Sequence, residues 1–171
     1  MPNVVQCILP VVQWPSNLES LSIKRGNGAG SMWPYMVSAA NNYDSSTDLT
    51  QGSGGLIAAL TGNYGATGWA GGAVPFSYIN GQYYSCVWWP SLFPIFGNCN
   101  GYDRRAVRGD LYFNTYYVLP EGNYLARHEM GHVFGLAHES CSVYTVMKTP
   151  NCGNLPSVLQ SDEIGFINLY Y

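Results

Sequence analysis

Four residues in the last third of the chain have the types and the spacing of a metal site. His128, Glu129 and His132 lie close together, and His138 follows six positions after His132. The chain has three histidines, and all of them belong to this pattern. Four residues of a helix turn back to within about 40° of the starting direction. We therefore expect the His128 and His132 imidazoles to leave one helix face, one turn apart, and to reach the same metal ion.

His138 and Glu129 complete the predicted site. Gly135 can adopt the left-handed conformation that ends a helix sharply, so that the chain turns back and brings His138 to a third ligand position. Three neutral imidazoles leave one position of a catalytic zinc ion open for water, and zinc lowers the pKa of that water toward about 7. We expect Glu129 to take the proton and to deliver it to a leaving amine. The alternative is that the three histidines only cap and pack.

The element that must position these side chains is a helix over residues 123–134, with Asn123 as its cap. Glycine and proline are scattered through the chain, which favours strands joined by irregular loops elsewhere. Together these elements give an α+β fold class. Strands are predicted at residues 56–60, 68–76, 83–89 and 110–118.

Two further helices are predicted. The first covers residues 31–43, with Ser31 as its cap and Pro34 in its first turn, and a loop follows at 44–48. The second closes the chain over residues 161–170. Ile164, Ile167 and Leu169 are expected to give it an apolar side.

The composition restricts the class of protein. At 171 residues the chain fits one domain. Charged residues make up 10% of it, against about 25% in an ordinary soluble domain, and a largely uncharged polar surface suits a secreted protein. The net charge of -3 argues against a nucleic acid or an anionic membrane as partner. We also expect the protein to be a monomer. The start at Met1 has no signal-peptide pattern, and we expect that a signal and a pro-segment were removed.

The five cysteines are informative through their spacing. Cys86 and Cys99 bracket one loop, Cys141 and Cys152 bracket another, and Cys7 is left over. We expect two short-range disulfides formed in an oxidising compartment, with five reduced thiols as the alternative. The loop between Cys86 and Cys99 is apolar, and it either forms a local mini-core or covers a cleft.

Residues 128–138 read His-Glu-x-x-His-x-x-Gly-x-x-His, which resembles the complete zinc motif of the metzincin peptidases. Met147 lies at a suitable distance downstream for the methionine of the Met-turn, which forms an apolar floor under the zinc ligands in that family. Residues 110–115, 125–140 and 159–170 resemble the matrixin branch. Before residue 110 the resemblance extends only to the order of helices and strands.

The resemblance implies a metzincin-like fold over residues 1–171, with a twisted mixed sheet, an active-site helix and a C-terminal helix. Residues 1 to about 134 would form the upper part, and about 135–171 a small lower part. It implies a zinc endopeptidase with one catalytic ion, whose protein or peptide substrate lies extended along an edge strand. Residues 67–73 are the candidate edge, with a bulge of no functional weight as the alternative. Thr149, Pro150 and Asn151 would line the pocket beside the cleaved bond.

The chain also departs from the matrixin pattern. No histidine remains for the second, structural zinc of that branch. Carboxylates are scarce, so structural calcium is not supported, and Asp44, Asp48 and Asp103 are weak candidates for it. Two rival functions stay open: a peptide-binding zinc protein without turnover, and a zinc amidase that acts on cell-wall peptides.

Overall fold

The computed structural model describes residues 20–79, 82–85, 108–117, 122–134, 136, 138–149 and 152–170. Within these ranges the chain forms seven strands and three α-helices. The strands are β1 (Ser20–Leu21), β2 (Ile23–Arg25), β3 (Thr50–Gln51), β4 (Ile57–Gly62), β5 (Gly71–Ile79), β6 (Gln82–Ser85) and β7 (Arg108–Asn114). The helices are α1 (Trp33–Ser46), α2 (Gly122–Val133) and α3 (Ser161–Tyr170).

The main sheet is mixed and has five strands in the order β2-β4-β7-β5-β6. Strands β2, β4 and β7 are parallel, whereas β5 is antiparallel to both β7 and β6. Strands β1 and β3 form a separate parallel pair. In the central strands β4 and β7, Ala59, Leu111 and Phe113 are fully buried. Such strands carry apolar residues because both faces of the sheet are covered there. The predicted α+β class is therefore confirmed.

Helix α2 lies close beneath β5 and β7, because glycines in both strands leave room for it. A Cβ atom on Gly109 of β7 would lie 2.7 Å from Val133 Cγ1, and one on Gly71 of β5 would lie 2.9 Å from Leu125 Cδ1. Real side chains do not tolerate such distances. These glycines let the histidine-bearing helix pack directly against the sheet.

Helix α1 fixes α2 from the other side. The Tyr43 hydroxyl donates to the Arg127 carbonyl at 3.0 Å. Asn42 Oδ1 accepts from Arg127 Nε at 2.9 Å and from the Leu159 N–H at 3.0 Å. One partly buried polar junction thus joins α1, α2 and the segment that leads into α3, and these bonds favour a single arrangement of the three elements.

The predicted first helix is confirmed, with Pro34 in its first turn, but its cap and its end were predicted wrongly. Ser31 lies in a 3-10 turn before the helix, and the capping position belongs to Met32, which makes no side-chain capping bond. Residues 44–46 are helical rather than a loop. The helix ends at Thr47, whose N–H and hydroxyl both donate to the Tyr43 carbonyl, at 2.9 and 2.6 Å.

The other helices were predicted closely. Helix α3 has the predicted bounds, but Leu169 is 73% exposed and does not belong to its apolar side. Asn123 lies inside α2 and is not its cap, since the helix begins one residue earlier. Gly135, the predicted stop, lies outside the described residues.

The predicted strands overlap β4, β5, β6 and β7, with ends shifted by one to three residues in the described part. Residues 86–89 and 118 of the predictions lie outside that part. Strands β1, β2 and β3 were missed because they are two or three residues long. Such short strands show no alternation in the sequence and depend on their neighbours.

Cys141 and Cys152 form a disulfide, as predicted. The proposed pair Cys86 and Cys99, and Cys7, lie outside the described residues. Among the helices that the structure describes, none has both the length and the apolar character needed to cross a bilayer. A disulfide is consistent with an oxidising, extracellular location.

Replacing both Cys141 and Cys152 with alanine is expected to lower the free energy of unfolding by about 2–4 kcal/mol, because the bridge restricts the unfolded chain. Urea denaturation followed by circular dichroism measures this change. Ser142→Ala, an exposed neighbour, serves as the control. An unchanged denaturation midpoint in the double variant would contradict the expectation.

Candidate metal centre

The three histidines predicted from the sequence come together at one point. His128 and His132 lie one turn apart on α2, and His138 returns toward them after the helix has ended. Their Nε2 atoms form a nearly equilateral triangle, with separations of 3.2 Å between His128 and His132, 3.1 Å between His128 and His138, and 3.0 Å between His132 and His138. Among the described residues, these three histidines form the group of potential ligands that could hold a metal ion.

The protonation of two rings is fixed by their backbone partners. His128 Nδ1 lies 2.7 Å from the Val146 carbonyl oxygen, and His132 Nδ1 lies 2.7 Å from the Leu136 carbonyl oxygen. A carbonyl oxygen only accepts, so each Nδ1 carries the proton and donates it. Each Nε2 then presents a lone pair to the centre of the triangle. Outer hydrogen bonds of this kind orient the histidine ligands of metal sites.

This geometry fits a tetrahedral ion. Zn–N bonds of about 2.0–2.1 Å place the ligand nitrogens about 3.3 Å apart, close to the separations of the three Nε2 atoms. Converging lone pairs repel one another, and a cation between them removes that repulsion. The set of three imidazole nitrogens suits zinc and also other divalent transition metals. The donor set therefore fits a metal site, in which the three histidines would occupy three of the four positions of a tetrahedron.

Burial keeps the imidazoles in the neutral form that binds metal. It lowers the pKa of His128 to about 4, with a smaller contribution from neighbouring His138, against a hydrogen bond to Val146 that raises it. Burial and the other two histidines lower the pKa of His132 well below its usual value, against a hydrogen bond to Leu136 that raises it. Burial also lowers the pKa of His138. Because a metal ion must displace any proton on its ligand nitrogens, neutral rings favour binding at neutral pH.

Glu129, the predicted acid/base, is buried beside the ligands on α2 and is 4% exposed. Burial raises the pKa of its carboxyl to about 8 in the absence of a metal ion. A divalent cation next to it would favour the charged form and lower that pKa. A carboxyl whose pKa can be brought near neutrality is suited to accepting and returning a proton.

Met147, the candidate Met-turn methionine, packs against the ligand-bearing helix at Gly131. It is fully buried, and a Cβ on Gly131 would approach its Sδ to 2.5 Å. Gly131 is the residue before His132, so the absence of a side chain there lets the methionine reach the helix between the two ligands. An isolated parallel β-bridge, formed by the backbones of Glu139 and Lys148, joins the chain around Met147 to the segment that follows His138.

Tyr124 is a residue of the site that the sequence did not identify. Its hydroxyl donates to the Lys148 carbonyl, and its oxygen lies 3.1 Å from His128 Nδ1. Burial raises its pKa well above the ordinary value, so the hydroxyl keeps its proton. Tyr124 precedes His128 by one turn of α2, and this spacing is the signal that could have suggested it.

The candidate substrate edge is partly confirmed as a strand. Residues 71–73 belong to β5, and the stretch before them is irregular. Strand β5 pairs with β7 over Gly71–Phe76 and with β6 over Phe76–Ile79. Within the described ranges, no strand pairs with the second edge of residues 71–75. Thr149 is half-buried beyond Met147, while Pro150 and Asn151 lie outside the described residues.

The weak calcium candidates receive no support from the described contacts. The two carboxylate oxygens of Asp44 accept from the Gln51 backbone and side-chain nitrogens, at 3.0 and 3.5 Å. Asp48 is exposed, and its N–H donates to Asn168 Oδ1. Asp103 lies outside the described residues.

Gly71 of β5 leaves room for the Glu129 side chain. A Cβ at this position would lie 2.9 Å from Glu129 Cδ, and closer still to Oε1. Gly71→Ala is therefore expected to displace the carboxylate and to lower the rate of any reaction that depends on it by about 10²-fold, the usual cost of a misplaced catalytic group. Metal content should stay unchanged.

Initial rates and metal analysis of the Gly71→Ala variant test this expectation. Gly65→Ala is a control for the loss of a glycine, since a Cβ there meets nothing within 4 Å, although its φ of 75° carries backbone strain. Full activity of Gly71→Ala would show that Glu129 tolerates the displacement or takes no part in the reaction.

Comparisons with known proteins found no relative: no protein-family model and no curated protein matches the chain. The fold and the site together define an α+β protein whose three histidines can hold a metal ion beside a buried glutamate.

Proposed function

We propose that this protein is a secreted zinc-dependent endopeptidase of the metzincin kind, closest to the matrixin branch. The observation that carries the proposal is the convergence of three Nε2 atoms within 3.0–3.2 Å of one another, with the buried Glu129 next to the first of the ligands. These residues occupy the positions of the His-Glu-x-x-His-x-x-Gly-x-x-His motif. A structural metal site has no use for the glutamate.

The architecture supports the same proposal. A mixed sheet with one antiparallel strand beside the site, a helix beneath it and a buried methionine under the ligands are the parts that the metzincin resemblance implies. The unpaired edge of residues 71–75, in the described part of the chain, lies on the strand that touches Glu129. A peptide chain could extend the sheet there and bring one of its bonds to the metal.

Zinc held by His128, His132 and His138 would acidify a water molecule and polarise the scissile carbonyl. The Val146 and Leu136 carbonyls hold two of these imidazoles in the tautomer that keeps Nε2 free for the ion. Glu129 takes a proton from the attacking water and returns it to the nitrogen of the leaving amine. Its burial excludes bulk water, so the carboxylate exchanges its proton with the reactants.

Secretion is supported by two observations. The Cys141–Cys152 disulfide is stable in an oxidising compartment, and only 10% of the residues are charged. The partners proposed are protein or peptide substrates.

The rival functions differ in what they cleave. An endopeptidase is expected to hydrolyse casein and internally quenched peptides, to lose this activity with 1,10-phenanthroline and to regain it with zinc. A cell-wall amidase would release fragments from peptidoglycan and leave casein intact. A binding protein without turnover would retain peptides on the zinc-loaded form and cleave none. A panel of the three substrates therefore tests the proposal, and cleavage of peptidoglycan alone would reject it.

A further inference from the structure

We propose that Glu163, on the C-terminal helix, is a positioning residue of the metal site: its carboxylate holds the backbone turn that orients His128. This inference rests on the proposed function, because it concerns how the chain presents a ligand to the metal. Glu163 belongs to α3 and does not touch any of the three histidines in the described contacts. Glu163 acts on His128 through the backbone of residues 145–147.

The Glu163 carboxylate is fully buried and accepts bonds from three groups. Oε1 accepts from the Val146 N–H at 2.7 Å and from the Thr145 hydroxyl. Oε2 accepts from the Gln160 N–H at 2.5 Å, which caps the start of α3. One carboxylate therefore ties the first turn of α3 to the segment around Met147.

Val146 connects this carboxylate to the metal site. Its N–H donates to Glu163, and its carbonyl accepts from His128 Nδ1 at 2.7 Å. Both bonds belong to the backbone of one residue, so a rotation of that backbone changes both. The Thr145 hydroxyl, which donates to Glu163, also accepts from the Met147 N–H at 3.0 Å. The same contacts thus fix the methionine under the ligand helix.

Burial of a carboxylate is costly unless its oxygens are well supplied with donors. A cap for α3 alone requires no burial, since an exposed glutamate caps a helix equally well. The neighbouring Asp162 lies in the same first turn and is only half-buried. The bonds to Thr145 and Val146 are what the buried position adds, and these two residues lead to His128 and Met147.

Glu163→Gln tests the inference in the intact chain. The amide keeps the size of the side chain but places an NH₂ group where a carboxylate oxygen accepted, so it cannot serve all three donors. Zinc affinity, measured by competition with a chromophoric chelator, is expected to fall about tenfold, the lower end of the range for outer partners of metal ligands. Asp162→Asn removes the same charge one residue away and should leave the affinity unchanged.

Nuclear magnetic resonance of the zinc-loaded protein separates positioning from general loosening. The His128 Nδ1–H signal, bonded to Val146, should shift and exchange faster with solvent in Glu163→Gln. The His132 Nδ1–H signal, bonded to Leu136, should stay in place and serves as the internal reference. Thr145→Val removes a second partner of the carboxylate at nearly constant volume, and it should affect the same signal.

The outcomes distinguish the inference from the proposed function. Wild-type protein that binds no zinc would overturn the proposed function, and the inference with it. Wild-type binding with unchanged affinity and an unchanged His128 signal in both variants would overturn the inference alone. Equal disturbance of the His128 and His132 signals would also overturn it, since Glu163 would then act only on overall stability.

Discussion

Glu129→Gln is expected to lower the turnover rate about 10²–10⁴-fold while zinc stays bound. The amide fills the space of the carboxylate but cannot accept the proton of the attacking water. The side chain is buried against Gly71, so a substitution of equal size preserves that packing. The three Nε2 atoms are left in place. Steady-state kinetics with a quenched peptide, beside metal analysis of the same sample, measures both effects.

The matched control for this variant is Glu139→Gln. Glu139 directly follows the third ligand and is half-buried, so its substitution removes a nearby charge without touching the acid/base position. It should keep most of the activity. Near-normal turnover in Glu129→Gln would remove Glu129 from the mechanism, and loss of zinc from that variant would show that the carboxylate supports the metal.

His138→Ala is expected to weaken zinc binding and turnover together. Loss of one of three ligands should raise the zinc Kd by more than the 10–100-fold that loss of an outer partner costs. The protein should remain folded, because His138 is the exposed member of the triad while His128 is buried in the helix. Chelator competition gives the Kd, and circular dichroism verifies the fold.

Ser140→Ala provides the control for His138→Ala, since Ser140 is an exposed residue two positions later that contacts Ser142. Metal content equal to that of the wild type in His138→Ala would mean that the third ligand is misassigned. Zinc retention with lost activity would point to a role for His138 outside metal binding.

The sequence predicted the parts of the fold whose pattern is local. Helix α3 was placed with its observed bounds, whereas Leu169, which was expected on its apolar side, is exposed. Leu169 follows Ile164 by five positions, which places it about 140° around the helix from Ile164 and away from the buried side. The cap of α1 was misjudged because Ser31 has the right side chain, but the 3-10 turn of Gly30–Met32 comes before the helix. Such a turn depends on contacts with Ala29 and its neighbours.

The site was predicted where its residues follow one another along the chain. His128, Glu129 and His132 share one helix, and His138 and Met147 follow within twenty residues of it. Tyr124 was missed because its partner, the Lys148 carbonyl, belongs to a backbone that only folding brings near. Glu163 was missed for the same reason, since it reaches Val146 from another helix.

Gly71 belongs to the stretch that the sequence suggested as a substrate edge, which is a different reason for a glycine from its contact with Glu129. The glycines of residues 67–73 suggested close approach of a substrate backbone, and the structure places the Glu129 side chain against one of them. The two explanations are compatible, since a strand can touch the carboxylate with one residue and leave its edge free. The requirement for a glycine at that position follows from the Glu129 carboxylate and from Leu125.

Addition of zinc back to metal-stripped protein, with casein hydrolysis and bound zinc measured on each sample, tests the zinc endopeptidase most directly. We expect no hydrolysis without metal, a rate that rises in proportion to bound zinc, and saturation at one zinc per chain. Hydrolysis that persists in the metal-free protein, or that bears no relation to bound zinc, would contradict it.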